Sequence, residues 1–173
     1  MRLSFIVLLV LASGCGQQAD PQKFNSAWQP EASAQSEWRH YLGDASFSHA
    51  SSLNQIDTEN VHLLEEAWRY QAGGHLEGAV SQMQCNPLIV HSIMYCTAPN
   101  LVAFALNAET GEELWRFEDA SADDGIGVYH SRGVTYWESG DDRRIFFSAR
   151  GQLFALNAHS GKPVSTFGND GSI

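Results

Sequence analysis

Apolar positions between residues 87 and 106 fall in three short runs, PLIV (87–90), IMYCT (93–97) and LVAFAL (101–106). Runs of four to six apolar residues bounded by turn formers suit strands, because a helix needs a longer stretch at a 3.6-residue period. The arrangement then repeats as GVTYW (133–137), RIFFS (144–148) and GQLFAL (151–156). HS (91–92) and GDD (140–142) separate the arms of two hairpins. No segment of this region carries a helical period.

A second repetition fixes how the strands are grouped. Residues 104–115 read FALNAETGEELW and residues 154–165 read FALNAHSGKPVS. In each copy an apolar strand ends at an Asn whose side chain can bond its own backbone, Asn107 or Asn157. Four residues on, Gly111 or Gly161 can take the positive φ that closes a hairpin with a bulge. The chain then returns as EELWRF (112–117), which matches EEAWRY (65–70) upstream. Trp68 and Trp115 stand 47 residues apart, and Ser165 takes the equivalent place after another 50. Four short antiparallel strands per unit of this length describe the blade of a β-propeller. A sheet so small must bury its faces against neighbours, and a Trp at a fixed place supplies a large apolar contact for the next blade. The Ser at 165 implies a differently filled joint, with Phe167 as the candidate filler. The fold class is therefore all-β, a partial β-propeller of about two four-stranded blades plus part of another. Since propellers close with typically about four to eight blades, the chain reads as an incomplete wheel.

The first 36 residues have a different character. Residues 1–14 carry one positive charge at Arg2, an unbroken apolar run from Phe5 to Ala12, and then small residues, the layout of an export signal. The run is too short to span a bilayer as a stable helix. LASGC resembles a bacterial lipobox, which implies a lipoprotein signal peptide over 1–14, lipidation at Cys15 and a membrane anchor. The alternative is ordinary cleavage near Ala12, leaving Cys15 a plain thiol. Residues 15–36, rich in Gln, Ala, Ser and Pro, read as a flexible tether, and residues 37–173 as the propeller part.

Charge and cysteine content narrow the chemistry. The formal net charge is −10, which argues against nucleic acid, since a phosphate backbone needs a basic footprint. Beyond Cys15 only Cys85 and Cys96 occur, on the two arms of one hairpin. An oxidising compartment would permit them to pair, but a diagonal placement would strain the bridge, so two buried thiols are expected. No CxxC or HxxxH spacing occurs, and zinc is not expected.

WRHYLGD (38–44), LNQID followed by NV and AWRY (53–70), QMQCNPLIV (82–90), ALNAETGEELW, RGVTYW (132–137) and DDRRIFFSARGQLFALNAHSGKPV (141–164) occur in this order. Together they resemble the N-terminal part of a pyrroloquinoline quinone (PQQ)-dependent dehydrogenase of the glucose and alcohol dehydrogenase type. The repeat turn alone is weak, and the ordered set is the specific signal. The resemblance implies an eight-bladed propeller holding PQQ and calcium near its axis. It further implies a sugar or alcohol substrate, a quinone or cytochrome electron acceptor and a periplasmic location. Arg132 matches the family arginine that pairs with a PQQ carboxylate, a task suited to a planar guanidinium with two parallel N–H groups. Its other reading is a surface ion pair with an acid at 118–124. Gln84 stands where many members have a glutamate, and can donate to a PQQ oxygen or be an ordinary polar strand start. Asn86 is a weaker neighbour. The adjacent cysteines that alcohol-oxidising members place upstream of this arginine are lacking. His130 and Ser131 stand there instead, which moves the resemblance toward the sugar-oxidising members. By family order the calcium ligands and catalytic aspartate belong to later blades, so no catalytic or metal residue is assigned here. Asp123, Asp124, Asp141 and Asp142 read as solvated turn residues. A propeller lipoprotein serving as a scaffold in outer-membrane protein assembly shares the repeat and the lipobox, and so does a propeller that has lost its cofactor. The scaffold has no need of RGVTYW or QMQCNP.

Overall fold

The computed structural model describes residues 37–43, 47–73, 82–119 and 131–173. The signal, Cys15, the tether, His130, Asp123 and Asp124 lie outside these. Among the described residues seven strands form two antiparallel sheets. The first contains β1 (Leu88–Val90), β2 (Ile93–Ala98), β3 (Val102–Asn107) and β4 (Glu113–Phe117) in chain order. The second contains β5 (Thr135–Ser139), β6 (Asp142–Ala149) and β7 (Gln152–Asn157). Its fourth place holds no regular strand but two isolated bridges, Leu156 to Pro163 and Phe154 to Ser172; at the first of them Pro has no N–H to give to a ladder. Helix is confined, among the described residues, to single 3-10 turns at Val61–Leu63 and Pro99–Leu101. The six strand candidates of the two hairpin runs and EELWRF are present, whereas EEAWRY (65–70) joins no ladder, the second sheet lacks the expected fourth strand, and several boundaries move. GVTYW pairs only from Thr135, after a turn-like Ser131–Gly133. Asp142 belongs to β6, opposite Ser139, and forms an exposed ion pair with Arg144 at 2.6 Å.

The first sheet is buried on both faces, as the stacking of blades demands. On one face Leu88, Val90, Tyr95, Ala103 and Ala105 meet Ile145, Phe147, Phe154 and Leu156 of the second sheet. On the other, Met94, Cys96, Phe104 and Leu106 are covered by Trp68, Tyr70 and Ala72. Alternation along β2 and β3 sends successive residues to opposite faces, so one strand serves both joints. Each fully buried Leu, Ile, Val or Phe contributes roughly 1.5–3 kcal/mol.

The repeated turns are nearly superposable in their bonding. Asn107 Oδ1 accepts from the N–H of Glu109 (2.8 Å) and Thr110 (3.0 Å), and Asn157 Oδ1 from those of His159 (3.1 Å) and Ser160 (3.0 Å). Gly111 and Gly161 have φ of +74° and +68°, as the turn requires. They also seat the tryptophans. A Cβ on Gly111 would lie 2.6 Å from the Trp68 ring, and one on Gly161 2.6 Å from the Trp115 ring. Trp115 then donates its indole N–H to the carbonyl of Ala158 at 2.9 Å. Ser165, in the third equivalent place, is exposed, and Phe167 packs edge-on against Phe146 at 5.5 Å between ring centroids.

Candidate functional site at the head of the two inner strands

β1 and β5 begin side by side. The backbone N–H of Asn86 donates to the carbonyl of Arg132 at 3.0 Å, which ties QMQCNP to RGVTYW. Gly133, with φ +135°, permits the approach, since a Cβ there would come within 3.0 Å of the Asn86 carbonyl oxygen. Ser131 Oγ donates to the carbonyl of Gly133 at 3.2 Å and steadies the bend that precedes β5. Residues nearly fifty positions apart in sequence are thus brought together by blade packing. The structure unites Arg132 and Asn86 directly and places Gln84 two residues away on the same approach segment.

The side chains there differ in how free they are. Arg132 is exposed, and no carboxylate among the described residues pairs with it. Gln84 is half-buried, its amide N–H donating to Gln82 Oε1 at 3.1 Å. Behind them, Thr97 is 1 % exposed, and its hydroxyl lacks a hydrogen-bond partner among the described residues. An exposed guanidinium, unpaired among the described residues and beside polar amides on a backbone pinned by an inter-blade hydrogen bond, is a setting for a planar anionic ligand. Among the described residues no group of three His, Cys, Asp or Glu is placed to hold a metal ion.

Cys85 lies between Gln84 and Asn86, and both it and Cys96 are free thiols. Its Sγ accepts from the backbone N–H of Thr97 at 3.1 Å. A hydrogen bond from Cys96 lowers the Cys85 pKa, while that bond and burial raise the Cys96 pKa.

The opposite ends of β1 and β5 are held by charge. Glu138 of β5 accepts from Arg39 (2.7 Å) and Tyr136 (2.8 Å), and lies 3.2 Å from His91 Nε2 in the β1–β2 turn. These bonds, that of Tyr136 first, lower the Glu138 pKa to about 2. Burial, then the bond to Glu138, pushes Tyr136 up to about 12. Trp38 exchanges two backbone hydrogen bonds with Ile89, both 2.9 Å, so the WRHYLGD segment adds a short extra rung beside β1. Sequence reasoning missed this clamp. Its members lie in three separated segments, 37–39, His91 and 136–138, and no local pattern in the sequence marks them.

Comparisons with known proteins agree with this geometry. Residues 38–173 match the family described as PQQ: Glucose/ethanol/alcohol dehydrogenase, beta-propeller domain. The quinate/shikimate dehydrogenase (quinone) of Acinetobacter baylyi is 31% identical over 169 residues, covering 82% of this chain and 20% of that protein. The alcohol dehydrogenase (quinone) dehydrogenase subunit of Gluconobacter oxydans is 35% identical, covering 74% of this chain and 16% of the subunit. Among solved structures, the quinohemoprotein alcohol dehydrogenase of Comamonas testosteroni aligns with a TM-score of 0.59 and 28% identity, over 73% of this chain and 18% of that one. A europium-containing methanol dehydrogenase aligns with a TM-score of 0.60 and 26% identity, over 73% and 22%. The chain spans roughly a fifth of the length of these relatives. With its blades, its Trp-bearing joints and its paired strand heads, the chain belongs to the PQQ-type glucose, ethanol and alcohol dehydrogenase β-propeller family.

Proposed function

We propose that the whole protein is an exported dehydrogenase that binds PQQ, oxidises an aldose or alcohol and passes the electrons to a quinone or cytochrome acceptor. The observation that carries this reading is Arg132, exposed, unpaired among the described residues and joined to Asn86 by the inter-blade backbone hydrogen bond. PQQ is a planar tricarboxylate, and these residues fit one edge of it. Arg132 would pair with a carboxylate, while the Gln84 and Asn86 amides would donate to oxygens of the ring system. When bound, PQQ supplies a two-electron acceptor for the substrate hydride, with calcium polarising its quinone carbonyl. The part of this chain is to neutralise charge and fix orientation. The backbone hydrogen bond from Asn86 to Arg132 fixes where the guanidinium is presented.

The calcium ligands and the aspartate base belong to other blades of the whole protein in this reading, so the 173 residues alone should not turn over substrate. A lipid on Cys15 would tether the protein on the periplasmic side of a bacterial membrane. The described residues contain no helix long and apolar enough to cross one. The test is dye-linked oxidation of an aldose and a primary alcohol by the whole protein, with and without added PQQ and calcium. PQQ-dependent turnover is expected from the whole protein and none from residues 37–173. Failure of the whole protein to bind PQQ would overturn the reading in favour of a cofactor-free propeller.

A further inference from the structure

We propose that Cys85 and Cys96 form a reversible disulfide that clasps the head of β1 to β2, directly behind Arg132. Leu88 pairs with Tyr95 across the first hairpin, and the same register carried outward sets Cys85 diagonal to Cys96. Both thiols belong to one apolar cluster, so they point to the same face of the sheet. Both sulfurs also lie against Thr97 in the dithiol form, Cys85 Sγ 3.1 Å from its backbone N and Cys96 Sγ 3.9 Å from its carbonyl oxygen. Residues 82–87 form no ladder with β2, and this leaves the Cys85 backbone able to adjust to the exacting geometry of an S–S bond. Regular diagonal strand positions lack that freedom.

The two sulfurs are unequal, and the inequality assigns their roles. Cys85 is partly exposed, and its sulfur accepts the Thr97 N–H at 3.1 Å; the neighbouring Cys96 thiol and this bond both favour its thiolate. Cys96 is 1 % exposed and held protonated by burial and by its donated bond. Cys85 is thus the thiol that meets a disulfide oxidant, either a small-molecule disulfide or a protein one. Its thiolate attacks one sulfur of the oxidant, forms a mixed disulfide and expels the first thiolate. Cys96 then loses its proton to solvent and attacks the Cys85 sulfur, and the second thiol departs. Two protein thiols are oxidised and one external disulfide is reduced to two thiols. Deprotonation of buried Cys96 limits the second step, so resolution of the mixed disulfide quickens as pH rises.

The site has a neighbour that would register the change. Cys85 Sγ lies 3.6 Å from where a Cβ on Gly133 would stand, against the residue that follows Arg132. The proposal stands independently of PQQ binding. It is tested on the whole protein treated with oxidised glutathione at pH 8, alkylated and mapped by mass spectrometry. Expected are a Cys85–Cys96 linked peptide, loss of both from the alkylated pool, and recovery with dithiothreitol. Cys96→Ser should instead accumulate glutathione on Cys85. Both cysteines still alkylated in the folded protein, or glutathione remaining on wild-type Cys85 without the link, would overturn it.

Discussion

The outer rim of the blade joint and the inner end of the same joint use opposite chemistry. At the rim Trp115 lies on Gly161, 7 % exposed, with its only polar atom satisfied by Ala158. At the inner end Asn86 and Arg132 meet through one backbone hydrogen bond, and the guanidinium is left to solvent. Apolar burial at the rim holds the sheets together, which lets the inner end keep a cation unpaired among the described residues.

That contrast can be broken most severely at the rim. Trp115→Ala should destabilise the whole protein by about 3–5 kcal/mol, the usual penalty for emptying a large aromatic site. Denaturant melts would detect it, and a loss below about 1 kcal/mol would mean the ring is not the joint. Gly161→Ala should cost about 2–4 kcal/mol, because the methyl meets the Trp115 ring and a side chain is forced to φ +68°. Trp115→Ala combined with Gly161→Ala should then cost much less than the sum, since the clash disappears with the ring. Strict additivity would refute the seat.

The charged clamp offers a smaller lever. The folded-state pKa of Glu138 is depressed from 4.5 to about 2, so its stabilisation is fully present above about pH 4.5. It fades as pH falls toward 2, because protonation removes the acceptor for Arg39, His91 and Tyr136. Glu138→Gln should therefore lower stability modestly at neutral pH, the pair being a third exposed and screened, and should flatten the acid limb of the stability curve. An unchanged acid limb would remove Glu138 from the clamp.

The rim was legible in the sequence and the inner end only partly. FALNA with a Gly four residues on, together with a Trp at 47-residue spacing, are local patterns, and the strands follow them closely. The turn geometry explained Gly111 and Gly161 in advance, but their second duty as seats for Trp68 and Trp115 depends on the neighbouring blade. Arg132, Gln84 and Asn86 were picked out by resemblance. Only packing revealed that Asn86 and Arg132 touch, and that Gly133 permits it. The Glu37, Arg39, His91 and Glu138 clamp left no local trace, since a charge becomes a partner only when the chain closes on it. GDD was assigned wholly to the turn, yet a two-residue turn suffices and Asp142 joins β6.

The smallest stability effect carries the largest functional one, and it bears on the central claim that the rim holds and the inner end binds. PQQ affinity and thermal midpoint should be measured together for the wild-type whole protein and Arg132→Ala. Removing an exposed side chain should move stability by less than about 0.5 kcal/mol. Losing the charge-assisted bond should weaken PQQ binding about 10- to 100-fold. Unaltered PQQ affinity with a normal midpoint would contradict the account.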